Sequence, residues 1–274
     1  MKPAAFEYHR ARSVAGAVGL LTELGDDAKV VAGGQSLVAM MNFRLARPEH
    51  LVDITHIEGL SGIRREGDTL RIGALTTHHA VEKAELGDFG VLSRAMRWVG
   101  HLPIRTRGTV GGSIAHADAT AEWCLLAVLL EARIVAEGPG GRREIPAEEF
   151  FLGPFTTALE PDELIVELVF PRPAPRAALT EYADRKGDFA LVAAAVDLDT
   201  DRVVLGGVGS TPVSADCPSS GTSHSRPPVS WADAAAEIAA SLELRDEPGI
   251  SAHYRRGLVR TLVERACQEA SRGC

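Results

Sequence analysis

Residues 29 to 54 read KVVAGGQSLVAMMNFRLARPEHLVDI. Val30 and Val31 are β-branched and form a short strand running straight into Gly33-Gly34, and Leu51-Val52-Asp53-Ile54 forms a second strand. Glycines directly after a strand turn the backbone through positive φ and let it approach a ligand with no Cβ in the way. Successive N–H groups then point into one concavity and can hold a phosphate anion. The Ser36 hydroxyl adds a donor. A Gly-rich loop from Gly108 to Ser113 repeats the recipe in Thr109-Val110-Gly111-Gly112-Ser113, where hydroxyl residues flank a glycine pair. Two such loops suit a diphosphate, whose charged groups need more donors than one turn provides. Taken alone, a Gly-Gly pair is more often simply a tight turn. Neither loop is a P-loop, since no Lys follows the glycines, and neither fits GxGxxG, which disfavours an NAD Rossmann site.

Outward from these loops, Ser13 is placed to cap a helix over Val14 to Leu24 that Gly25 ends. Ile63 to Ile72 alternates around Glu66-Gly67-Asp68 as a hairpin. Helical stretches fit His78 to Leu86 and Phe89 to Val99, an apolar run covers Ala121 to Ala132, and strands are predicted over Arg133 to Ala136 and Leu164 to Phe170. Residues 171 to 178, PRPAPRAA, hold three prolines and resist both helix and sheet, which makes them the candidate boundary. Beyond it, Phe189 to Asp199 and Val203 to Val208 read as antiparallel strands, and Trp231 to Leu242 and Ala252 to Ala270 as helices. The polar segment 217 to 230, CPSSGTSHSRPPVS, reads as a loop. The fold class is α+β, with a larger N-terminal and a smaller C-terminal part.

The 274 residues are 45% apolar and 24% charged, a globular composition with a core of useful size. Net charge is −8, from 29 basic against 37 acidic residues, which argues against a nucleic-acid binder. No apolar run reaches the roughly 18 residues of a membrane span, and the opening MKPAAFEYHRARS lacks the apolar core of a signal peptide. A soluble cytoplasmic protein is expected. Cys124, Cys217, Cys267 and Cys274 show none of the short spacings that clamp zinc or an iron–sulfur cluster, so redox chemistry would need a bound organic cofactor. His78 and His79 point about 100° apart on a helix and read as surface or cap residues rather than metal ligands. His101 and His116 stand near the second loop, in positions that loop structure explains as well as ligand contact does.

Residues 29 to 54 together with PIRTRGTVGGSIAHADATAEW (103 to 123), FLGPFTTALEPDELIVELVFP (151 to 171) and EYADRKGDFALVAAAV (181 to 196) resemble the FAD-binding subunit of the molybdenum hydroxylases. This is the family of xanthine dehydrogenase and aerobic carbon monoxide dehydrogenase, and the medium chain of the latter is closest in style. SAHYRRGLVRTLVERA, 251 to 266, is a weaker match. The resemblance implies a PCMH-type, vanillyl-alcohol oxidase-like FAD domain over 1–175, split into α/β subdomains of about 1–57 and 58–175. A small C-terminal α+β domain with antiparallel sheet and helices would cover 176–274. It further implies an electron-transfer role: a large molybdenum-cofactor subunit oxidises the substrate, a small subunit with [2Fe–2S] clusters passes electrons on, and FAD here delivers them to an external acceptor. Molybdopterin and the clusters would sit only on those partners, in a heterotrimer or its dimer, and no side chain of this chain need act in catalysis.

By motif, Val30, Val31, Ala32, Gly33, Gly34, Gln35, Ser36 and Leu37 would wrap the diphosphate, and Thr109, Gly111, Gly112 and Ser113 would form the opposing cradle. Asp118 would orient the second loop or merely start the next helix. Glu122 stands where the family has an acid bonded to the flavin, or simply favours a helix dipole. Ile104 and Ile165 occupy places that line the cofactor, although Ile165 suits a core strand equally. Lys186 and Phe189 lie where the family approaches the isoalloxazine ring. Gln35 stands where covalent attachment would need His or Cys, so the FAD is expected to be noncovalent. Thr106 replaces a frequent Asn, Thr120 a frequent Pro, and 217–230 does not resemble the helix usual there. A stand-alone FAD oxidase or dehydrogenase, and a scaffold that no longer binds flavin, remain as alternatives.

Overall fold

The Ser13 side chain accepts the Gly16 N–H at 3.0 Å and Gly25 takes φ 59°, so α1 (Val14–Leu24) begins and ends at the residues the sequence marks. The computed structural model describes residues 2–217 and 230–272. The chain opens with β1 (Glu7–Arg10), followed by α1, β2 (Ala28–Val31), α2 (Leu37–Asn42) and β3 (His50–Asp53). The three strands form a parallel sheet in the order β1-β3-β2. Ala17, Val18 and Leu21 of α1 share a core with Ala28 and Val52 of the sheet. Helix α2, directly after the first Gly-Gly pair, is absent from the sequence reading.

The middle of the chain holds β4 (Ile63–Glu66), β5 (Thr69–Gly73), α3 (His78–Lys83), α4 (Gly90–Ala95), α5 (Leu102–Arg105), α6 (Val110–His116) and α7 (Glu122–Leu129). It continues through β6 (Arg133–Gly138), β7 (Gly141–Pro146), α8 (Ala147–Phe150), β8 (Phe151–Gly153), β9 (Thr156–Thr157) and β10 (Leu164–Phe170). A sheet of order β4-β5-β10-β6-β7 places LIVELVF of β10 at its centre, and β8-β9 is a separate ribbon. The hairpin at Glu66-Gly67-Asp68 stands as expected, whereas β7 is an additional strand. The second Gly-rich stretch is a loop only as far as Thr109. Its glycines lie in the first turn of α6, because Thr109 caps that helix by accepting the Gly112 N–H at 3.2 Å.

The C-terminal part consists of β11 (Ala177–Tyr182), β12 (Val192–Asp197), β13 (Arg202–Gly206) and β14 (Val213–Asp216), then α9 (Trp231–Ser241) and α10 (Ala252–Ser271). The strands form an antiparallel sheet in chain order. Ala193, Ala195 and Val204 face the α7 core, while Val192, Ala194, Val196, Val203 and Leu205 face α10. Alternation on a sheet buried on both faces explains why β12 reads as an unbroken apolar run. Ala177 and Ala178 belong to β11, so the irregular proline-rich stretch ends at Arg176, two residues earlier than predicted. Phe189 precedes β12 in an open turn instead of starting the strand, and β13 stops at Gly206, where a Cβ would lie 2.8 Å from the Ala119 carbonyl oxygen. Residues 218–229 of the segment read as a loop lie outside the described residues. The largest core runs from Leu70 to Val204 across the expected division near residue 175.

At this joint Arg172 and the fully buried Asp197 pair at 2.8 Å, and Arg202 and Glu131 at 2.6 Å. Glu181 of β11 also points into it. Its Oε2 is enclosed without a hydrogen-bond partner, and burial, with the Glu122 charge adding, pushes the carboxyl up to about 8. Burial, with Asp118 adding, pushes Glu122 up to about 7 from 4.5. Both groups bind a proton more readily folded than unfolded, so this contribution favours the fold most below about 4.5 and is lost as pH rises to about 8. Glu181→Gln is therefore expected to raise the melting midpoint at about pH 8 by roughly 2–4 °C, with the gain shrinking toward about pH 5. Thermal melts at several pH values check this, and an equal gain at both ends contradicts it.

Candidate functional site

Strand β2 carries the chain to the first loop, where Gly34 takes φ 70°. The Gln35 amide donates to the Gly33 carbonyl at 2.8 Å and the Val38 N–H to the Gly34 carbonyl at 3.0 Å, which fixes the turn. Among the described residues, the N–H groups from Gly33 to Leu37 find no acceptor within the chain. Backbone donors in a folded chain are nearly always paired, and a half-buried consecutive run of free ones is the signature of an anion-binding nest.

The two glycine loops meet. A Cβ on Gly33 would lie 2.1 Å from the Arg107 carbonyl oxygen and 2.8 Å from the Gly108 Cα, so the backbones are in direct contact. Beside the contact lies a cleft lined by Ala32, Gly33, Thr55, Leu75, Thr77, Arg107 and Thr109, about 220 Å³ in volume. Pockets that enclose a whole small-molecule ligand span roughly 300–1,000 Å³. The cleft is smaller than that range and does not by itself enclose a whole ligand of this size.

The second loop contributes differently from the first. Val110 and Gly111 donate to the Thr76 and Ala74 carbonyls at 3.0 and 2.8 Å, Gly112 to Thr109 Oγ1, and Ser113 to the Thr109 carbonyl at 3.0 Å. These residues thus supply a capped helix start in place of a second run of free donors, and Gly111 is small because Ala74 lies against it, 2.6 Å from where its Cβ would be. What this side offers the cleft is Thr109 together with Arg107, whose guanidinium has no hydrogen bond or ion pair among the described residues. The sequence reading passed over Arg107, Thr55 and Thr77. For Arg107 the signal was a cation immediately before the Gly-rich stretch, two residues after Arg105.

His78 overturns its expected surface or cap position. It is buried, its Nδ1 accepts the Trp123 indole N–H at 2.9 Å, and burial holds it neutral with a pKa lowered to about 4. Its ring abuts Gly108 and its N–H donates to the Gly108 carbonyl at 3.0 Å, so it props the second loop from behind. His79 is the surface member, 3.2 Å from Glu82. Asp118 accepts both the Thr120 N–H (2.8 Å) and hydroxyl (2.7 Å), a turn that the Pro usual in the family lacks the N–H to complete. Thr106 bonds the Pro103 carbonyl through its hydroxyl at 3.1 Å.

The remaining predicted residues divide. Gly187, at φ 89°, sits against the His101 ring, 2.8 Å from where its Cβ would be, so the turn holding Lys186 rests on the residue preceding α5. The far end of α5 passes through Ile104, whose carbonyl accepts the Gly108 N–H at 2.7 Å, into Arg107. Lys186 is exposed and Phe189 is 62% exposed, near the sheet edge where Tyr182 and Tyr254 meet edge-on at 6.5 Å. Ile165 is apart from this group, 4% exposed within the main core. His116 is half-buried against Phe155.

Residues 4–173 match the model of the FAD binding domain in molybdopterin dehydrogenase, and residues 177–270 that of the CO dehydrogenase flavoprotein C-terminal domain. The chain is 40% identical to the 6-hydroxypseudooxynicotine dehydrogenase complex subunit alpha of Paenarthrobacter nicotinovorans, over 98% of this chain and 96% of that one. It is 37% identical to the carbon monoxide dehydrogenase medium chain of Afipia carboxidovorans, over 98% of each. Among solved structures, quinoline 2-oxidoreductase from Pseudomonas putida 86 superposes with a TM-score of 0.91 at 32% identity, covering 99% of both chains. With its nest, its cleft and a full-length likeness in both sequence and structure, the chain belongs to the FAD-binding medium subunits of the molybdenum hydroxylase family.

Proposed function

We propose that the chain is the electron-relay subunit of such a complex, taking electrons from a [2Fe–2S] subunit and handing them to an external acceptor while a large molybdenum-cofactor subunit oxidises the substrate. The observation that carries the reading is the run of free N–H groups from Gly33 to Leu37, which begins at a cleft that Gly33 and the unpaired Arg107 both line. A diphosphate is the ligand chemistry that consecutive amides and one guanidinium satisfy together. When bound, FAD supplies the redox chemistry; the protein supplies placement and electrostatics.

Val30 to Leu37 grip the diphosphate from the strand side, and Thr109, Gly111, Gly112 and Ser113 bound it from the helix side, with Arg107 between them. Ile104 of α5 and the Lys186 turn, which rests on His101, would hold the remainder of the cofactor. There the exposed Phe189 ring offers a stacking face, and the Lys186 ammonium favours negative charge on the ring. Asp118 and Glu122 close the far wall, Glu122 keeping its proton close to neutral pH. Residues 1–175 hold the cofactor and 176–274 contribute Lys186 and Phe189. Attachment is noncovalent, since Gln35 is occupied by the Gly33 carbonyl. No helix among the described residues is long and apolar enough to cross a membrane, which accords with work in the cytoplasm as part of a heterotrimer or its dimer.

Purified chain is expected to be yellow and to release FAD on denaturation. Arg107→Ala should weaken FAD retention about 10- to 100-fold, the loss expected when a charge-assisted hydrogen bond of about 1.5–3 kcal/mol disappears. Gly34→Val, which forces a branched side chain to positive φ beside Val38, should abolish retention at unchanged far-ultraviolet circular dichroism. Stoichiometric FAD in both variants removes the diphosphate placement. Native co-purification with metal analysis tests the relay: molybdenum and iron should travel with the flavin, and the isolated chain should leave its flavin oxidised when mixed with substrates of the complex. Reduction of that flavin by a small molecule without partners would instead establish a stand-alone enzyme.

A further inference from the structure

We propose that Glu7, His9 and His50 form a binding site for a divalent cation of the zinc class at the end of the first sheet opposite the flavin cleft. The strand register sets the three residues together. β1 and β3 run parallel with Glu7 opposite His50 and His9 opposite Val52, and alternate residues share a face, so all three side chains project from one side. Tyr8, on the other face, donates its hydroxyl to Asp53.

The separations suit a metal. His9 Nε2 and His50 Nδ1 are 3.1 Å apart. Two ligand atoms each about 2.0–2.1 Å from one ion lie roughly 2.9 Å apart at a right angle and roughly 3.3 Å apart at the tetrahedral angle, and the observed value falls between them. The Glu7 carboxylate stands 3.6 Å from His50 Nδ1 and 4.0 Å from His9 Nε2, and it is 75% exposed, free to close by a small rotation. The imidazoles are held more firmly, at 26% and 20% exposure. Two imidazoles and one carboxylate suit zinc, cobalt or nickel over calcium or magnesium, which take oxygen donors, and water fills the fourth position on the open side. With no ion, one ring N–H must donate to the facing nitrogen. An ion takes the place of that proton, which passes to solvent, and both nitrogens become ligands.

The ion would clip β1 to β3. His50 begins β3, whereas the nest follows the end of β2, so the two sites lie about 10 Å apart along the parallel strands. Cation binding is therefore independent of flavin loading.

The test uses the full-length flavin-loaded chain without an affinity tag, stripped with a chelator. Zn²⁺ is followed by titration calorimetry and Co²⁺ by its visible absorption. One equivalent of Zn²⁺ is expected to bind, Co²⁺ to show the bands of a four-coordinate ion, and Zn²⁺ to raise the melting midpoint. His9→Ala and His50→Ala should each weaken binding more than about tenfold, and the exposed Glu7→Gln should weaken it without any folding defect. The control His253→Ala on α10 should bind as the native chain does, and FAD content should be the same in all four variants. Absence of saturable Zn²⁺ binding, or binding that survives His9→Ala and His50→Ala because the buried thiols take the ion, overturns the proposal. Loss of FAD in native protein bears on the flavin reading alone.

Discussion

The site depends on a contact between two stretches of main chain. Gly33 lies so close to Arg107 and Gly108 that even a methyl group would sit 2.1 Å from a carbonyl oxygen, well inside any van der Waals separation. Any other residue at 33 would push the loops apart and open the cleft whose walls they form. The contact is supported in depth. Gly108 rests on the ring of His78, His78 is fixed by the Trp123 indole, and Trp123 is anchored in α7, the most buried helix of the chain. His78 can do this only as a neutral ring, because Nδ1 must stay an acceptor, and burial with the Arg105 charge secures that state. The two loops thus take their placement from α7, which stands behind them.

Elements that announce their own periodicity were legible. Helix α1 has Ser13 and Gly25 at its ends, the 63–73 hairpin has Gly67 at its turn, and β10 and α10 are long and strongly patterned. Four short helices escaped, α2, α5, α6 and α8; of these, α2 and α6 are six and seven residues long and lie against paired glycines. Two glycines in a helix start cost about 1 kcal/mol each in propensity, so local preference argues for a loop. Packing decides otherwise, because Gly111 is the only kind of residue that fits against Ala74. Edge strands β7 and β14 were missed because their exposed faces carry Arg142, Arg143, Glu144 and Ser214, the polar dress that keeps an edge from pairing with other chains.

Sequence reading marked both glycine pairs and treated them alike, whereas the structure uses them differently. In the first loop they free the donors; in the second they admit close packing while the donors are used internally. Spacing cannot separate these uses, since both need a missing Cβ. The histidines show the same limit: the partner of His78 lies 45 residues away and that of His9 lies 41 away, so neither contact leaves a local trace.

The chemistry lining the cleft also bears on what the subunit does. Thr55, Thr77 and Thr109 offer hydroxyls, Arg107 a permanent cation, and the first loop its amides. None of these takes up or releases a proton near neutral pH. Behind the second loop, His78 is buried and held neutral, and the carboxyls Glu122 and Glu181, both pushed up by burial, lie at the joint with the C-terminal sheet. A lining of backbone amides, a guanidinium and hydroxyls is suited to holding a charged ligand in place.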